Sequence, residues 1–372
     1  MKKLISSVFT LLLMASVTFA QSNVATVTQT GDDNTANVEQ DGNTNSSIVN
    51  QGGDNHEATV DQDGDDNSSI VDQNGENATA TTIQDGDRNV ATQEQFSEDL
   101  AGEASAVASI EQDGDENTAS QYQHATGFAI ARGTAAGDIN QAGDGNRASQ
   151  TQNSTGAFIA SSSAEAFISQ VGDNNLASQN QEAVAAIFAV SGAEARINQD
   201  GNSNRASQEQ GTLDILGISA ALADIDQLGD GNDASQTQEG DNVTAYINQS
   251  GDDNNAHQYQ VGNDLFSVID QFGDENRATN VQDGDDLESF ISQNGDNNWA
   301  RAAQDGDGIS SDINQSGDNN WARALQTGDD LISNITQSGN SNHADVSQTG
   351  SLHTSTVNQI GNSNRTFVTQ SN

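Results

Sequence analysis

Apolar and polar residues alternate along most of this chain, and the alternation breaks at regular intervals. In SVIDQFGDENRATNVQ, Ser267, Ile269 and Gln271 share one side of an extended segment, and Asn276, Ala278, Asn280 and Gln282 share one side of the next. A period of two predicts strands with one face turned inward. Between them Gly273 is followed by Asp274, Glu275 and Asn276, a composition that favours tight turns and left-handed backbone. The predicted unit is therefore a strand, a tight turn and another strand.

The spacing of the inward positions is strict. Glutamines recur every 11 residues from Gln29 to Gln95 and again from Gln238 to Gln370. Between these stretches, steps of 11 alternate with steps of 17 or 18, as from Gln95 to Gln112 and from Gln123 to Gln141, so five insertions of six or seven residues fall in one phase. After a predicted signal peptide at 1–20, the chain divides into repeats at 21–95, repeats with insertions at 96–226, and repeats at 227–372. An 11-residue period also suits a right-handed helical coiled coil. The recurrent Gly and Asx clusters argue against that, being poor helix formers.

Units alternate in kind. The fifth residue after Gln is Asn in one (Asn276, Asn298, Asn320, Asn342) and apolar in the other (Leu265, Leu287, Ile309, Leu331), so the full repeat is 22 residues. Near the N-terminus both kinds carry Asn and the phase stays open. The expected fold is all-β, a parallel β-solenoid with two strands per coil, stacked like an amyloid cross-β core. Its 29 glutamine units correspond to roughly 14 coils and a height of about 70 Å. Stacking places Gln over Gln and Asn over Asn, where side-chain amides satisfy one another along the stack. The candidate structural ladder is Gln249, Gln271, Gln293, Gln315 and Gln337, with Gln282, Gln304 and Gln326 on the other strand and Asn254, Asn276, Asn298, Asn320 and Asn342 at the turn. Small and β-branched residues such as Ala278, Ile269, Ile313 and Ile335 fill the space between.

Composition agrees with a one-dimensional stack. Hydrophobic residues are 32% and aromatics 4%, too few for a conventional core in 372 residues. Proline is absent, as a continuous hydrogen-bonded ladder requires, and so is cysteine. The first 20 residues have two lysines, an apolar run and a small-residue end, which reads as a secretory signal. Without them nine arginines face 55 acidic residues, a formal charge of −46. Nucleic acid and anionic membranes are not expected as partners, and no membrane insertion is expected.

The acidic turns, such as DGDDN and DGDGN, suggest weak calcium binding at most, since no EF-hand or calcium-roll spacing is present. Solvated charge is the plainer expectation. No catalytic motif, cofactor or metal site is legible, and the five histidines are expected to face solvent. Trp299 and Trp321 follow Asn in consecutive repeats and should stack on the outer face, as a stabilising ladder or a sugar- or partner-binding strip. Arg147, Arg205, Arg277 and Arg365 hold that same position and are expected to relieve acidic repulsion. The insertions carry Phe128, Ile130, Phe158, Ile187 and Phe188, and either lengthen the strands or form an apolar ridge. Neither end of the stack shows a legible cap, so end-to-end growth is expected.

The pattern Q-x-G-x-x-N-x-A-x-x-x-Q is met strictly twelve times, from Gln29 to Gln337. It resembles the curlin repeat of bacterial curli, Ser-x5-Gln-x-Gly-x-Gly-Asn-x-Ala-x3-Gln, over most of the chain. The second Gly of that signature survives only in GDGN (Gly145, Gly231), and Ser commonly stands four residues before Gln, not six. The resemblance implies an extracellular, fibre-forming amyloid subunit of the biofilm matrix, serving adhesion. Implied partners are further copies of itself, a nucleator subunit and an outer-membrane secretion pore. The alternative function is a soluble acidic β-solenoid acting as an adhesin or cation-binding module.

Overall fold

A computed structural model describes residues 22–214 and 217–372; the predicted signal peptide lies outside them. The described residues form twenty-nine strands, β1 to β29, and no helix. The odd-numbered strands make one parallel sheet of fifteen and the even-numbered strands a second of fourteen, each strand pairing with those two before and two after it. This is the two-strand parallel solenoid that the periodicity predicts. Register is set by the motif, with Gln271 beside Gln293 and Ala278 beside Ala300.

Each turn reverses the chain in a few residues by entering left-handed backbone. At Gly273 φ is 110°, and at Glu275 it is 57°. A side chain at Gly273 would put its Cβ 2.4 Å from the carbonyl oxygen of Gly295 in the next coil. Glycine is thus demanded twice there, by the backbone angle and by the coil beneath.

The core is a large column facing a small one. Ten isoleucines from Ile110 to Ile335 line the even sheet, opposite alanines such as Ala148, Ala206, Ala278 and Ala344 of the odd sheet, all buried. Each buried isoleucine contributes about 1.5–3 kcal/mol. Beyond them the corner from odd to even strands holds Val243, Leu265, Leu287, Ile309 and Leu331 as one apolar column.

The insertions lengthen strands. From β7 (Val90–Leu100) to β16 (Ile218–Leu228) the strands run 10–12 residues, against 7–9 elsewhere. Their added interior is mainly Ala, Ser and Gly, with Thr212 and Asp214, while their tips leave Phe128, Ile130, Phe158, Ile159 and Phe188 exposed. The two alternatives left open by the sequence therefore coexist. The N-terminal phase is also resolved: Gln29, Gln51, Gln73 and Gln95 belong to the odd sheet.

Candidate functional site

The strands aim one column of glutamines inward from each sheet. In the even sheet Gln249 Nε2 donates to Gln271 Oε1 at 2.9 Å, and the chain of amides continues through Gln293 and Gln315 to Gln337 at 2.9, 2.8 and 2.8 Å. The second amide hydrogen crosses to the odd sheet, as from Gln293 Nε2 to the carbonyl of Arg277. Each glutamine thus joins neighbouring coils and both sheets. In the odd sheet Gln282 donates to Gln304 and Gln326 to Gln348. Gln304 breaks this column, turning its amide to the carbonyl of Ile309 and leaving Gln326 Oε1 without a partner.

Asparagine bonds differently. The backbone N–H of Asn254, Asn276, Asn298, Asn320 and Asn342 each donates to the Oδ1 of the Asn one coil earlier, at 2.9–3.0 Å. Nδ2 of Asn254 and Asn276 reaches forward to the carbonyls of Gly273 and Gly295. The side chain thereby replaces the ladder bond that the turn interrupts.

Two further columns escape the 11-residue reading. A second glutamine ladder in the odd sheet runs through Gln93, Gln121, Gln150, Gln179, Gln208, Gln236 and Gln258. Its signal was the repeated Gln-x-Gln doublet. Turn carboxylates form the other: Asp65 N–H donates to Asp87 Oδ1, and the same bond recurs coil by coil to Asn362. These aspartates are ladder acceptors, contrary to the expectation of merely solvated charge. Asn202 and Asn340 serve equally well, so the fold needs the oxygen and not the charge.

His56 corrects the solvent-facing expectation for histidine. It is buried in a turn column, accepting from Ala78 N–H through Nδ1. Trp299 and Trp321 stack at 4.7 Å and 6°, and Trp321 stacks on His343 at 4.1 Å. Each ring covers the next one's face, which favours the stabilising ladder over a sugar platform. Ion pairs among the described residues fall to Arg88, Arg132, Arg196 and Arg323, and not to the four arginines after Asn. Burial raises Asp224 to about 6, aided by Asp226 and opposed by Arg196. Burial also raises Asp138 and Asp312, and burial with Arg365 nearby lowers His343. No three metal-ligating side chains gather among the described residues.

The curlin associated repeat family matches residues 19–42, 31–64, 42–75, 310–339 and 339–371. The repeats within these windows match the curlin repeat. These windows fall on either side of the lengthened strands. No curated protein matches the chain. The curlin repeat family is one of structural amyloid subunits and not of enzymes. No helix among the described residues is long and apolar enough to cross a membrane.

Proposed function

We propose that the chain is secreted and polymerises end to end into curli-like extracellular fibres that serve adhesion and the biofilm matrix. One observation carries this reading: columns sealed inside the stack are open at the first and last described strands. Val346 and Gln348 are buried in the odd sheet, whereas Val368 and Gln370 of the last described strand are partly exposed. At the other end all seven residues of β1 (Val24–Thr30) are exposed. Among the described residues no donor reaches the Oε1 of Gln29 or Gln40. Strand edges and unmet amides of this kind are completed by another strand of the same pattern. A nucleator would offer such a strand first, and an outer-membrane pore would deliver the chain unstacked.

The acidic surface fits a subunit that must stay apart until delivered. Stacked carboxylates lie about 4.8 Å apart, and repulsion at that range survives physiological salt. Electron microscopy and diffraction of the mature chain over days test the proposal. Unbranched fibres with a cross-β spacing near 4.8 Å are expected. A chain that remains monomeric by sedimentation at high concentration overturns it in favour of the soluble adhesin.

A further inference from the structure

The described strands end on a step. With fifteen odd and fourteen even strands described, β29 (Arg365–Ser371) lies one level beyond β28 (Thr354–Ile360) and has no even-sheet strand at its own level. A copy added by translation alone would place its β1 on β29. Its β2 (Thr35–Asp41) would then stand two levels above β28, leaving a one-strand slot at every junction. A copy turned half a revolution about the stack places β1 on β28 and β2 on β29. The slot is then filled.

The first corner of the chain is written for the turned position. Of the twelve strict motif copies, eleven start on even strands and lead into the asparagine column; only the copy from Gln29 starts on an odd strand. In a turned copy Gln29 follows Gln359, Gly31 follows Gly361 and Asn34 follows Asn364. The exceptional copy thereby joins the column of the other eleven.

The hydrogen bonds left open at this end are those the corner supplies. Asn342 Nδ2 donates forward to the carbonyl of Gly361 at 2.8 Å. Asn364 Nδ2 has no such carbonyl ahead of it and bonds the carbonyl of Ile360 and Asn342 Oδ1, the latter a backward bond that Asn298 and Asn342 also make within the stack. Asn340 N–H donates to Asn362 Oδ1, but Asn362 N–H finds no acceptor among the described residues. A turned copy brings the Gly31 carbonyl to Asn364 and Asp32 Oδ1 to Asn362, whereas a translated copy brings neither. The interior also continues like on like, with Val27 over Val357 and Val38 over Val368.

We propose that this end binds a second copy of the chain rotated by about half a turn, so that each subunit's odd sheet continues its neighbour's even sheet. The proposal rests on the fibre reading above. It sets a rise of about 70 Å per subunit and the same orientation only at every second one. The apolar tips then project from alternate sides of the fibre.

Paired cysteines test it in a chain that has none of its own. Thr28, Asn358 and Thr369 are exposed strand positions. Thr28 would face Asn358 in a turned junction and Thr369 in a translated one, in each case within the roughly 4.4–6.8 Å Cα reach of a disulfide. Fibres of T28C/N358C should cross-link between subunits about tenfold more than fibres of T28C/T369C. Image reconstruction of unmodified fibres should show a rotation near half a turn per subunit. Cross-linking of T28C/T369C with no rotation overturns the proposal, as do fibres in which neither pair links. If the unmodified chain forms no fibres, the fibre reading itself falls, and this one with it.

Discussion

In the coils from Val243 to Leu331, the corner leading into the even sheet is closed from inside by large apolar side chains stacked on one another. In the lengthened coils that corner is pushed outward, the interior behind it is lined by residues such as Ala164, Ala183 and Ala193, and the large side chains sit outside on the tips. Glycine marks the difference. A Cβ at Gly156 would lie 2.4 Å from the carbonyl oxygen of Arg132, so backbone packs on backbone there. Individual serines differ too: Ser154 and Ser162 bond each other across the interior at 2.5 Å, while Ser289, Ser311 and Ser333 have no partner among the described residues, although Ser267 accepts from Gln258 and Asn280 and Ser97 of β7 is unpartnered. The same ladders therefore hold two kinds of core at this corner, one filled by large apolar side chains and the other by alanine, serine and glycine.

The largest test of this difference is a cavity. Leu287→Ala should cost about 2–5 kcal/mol, because Leu265 and Ile309 are held in register and cannot collapse into the space. Ala193→Gly in the small-residue core should cost only about 0.5–1 kcal/mol. Denaturant unfolding of the soluble chain measures both, and equal losses would erase the distinction. Overfilling should reverse the ranking. Gly156→Val forces the sheets apart at a cost of about 1–3 kcal/mol, whereas Gly192→Ala, with open space around its Cβ, should be neutral or slightly stabilising.

Smaller effects separate the serines. Ser162→Ala removes a bonded hydroxyl and should lose about 1 kcal/mol, while Ser311→Ala, losing no bond, should be neutral or gain stability. The last comparison is by pH. Asp224, in the lengthened coils, holds its proton up to about 6 when folded, above the ordinary aspartate value of 3.8. Its contribution is fully present below about pH 3.8 and is lost as pH rises through 6. His343, in the regular coils, is lowered from 6.5, so its contribution is lost as pH falls below that value. Denaturation midpoints from pH 4 to 7 should flatten in Asp224→Asn by weakening less toward pH 7. In His343→Gln they should flatten by weakening less toward pH 4. A pH profile unchanged by either variant would show that these groups do not distinguish the regions.

The sequence by itself determined the period, the coil of two strands and the thirteen candidate ladder amides. These follow from local chemistry, since alternation fixes which side chains face inward and Gly with Asx fixes where the chain turns. Tertiary structure decided what each column does with its occupants. Gln304 leaves its ladder for the carbonyl of Ile309, and His56 enters a buried column, because each amide or ring answers to the residues one coil away and not to its own repeat. The fate of the insertions was likewise beyond the sequence. Whether Phe128 and Phe158 turn in or out depends on how closely the sheets approach, and that spacing is set by glycines and alanines on both strands at once. They meet edge to face at 5.8 Å on the outside, because the interior beside Gly127 and Gly156 has no room for a ring.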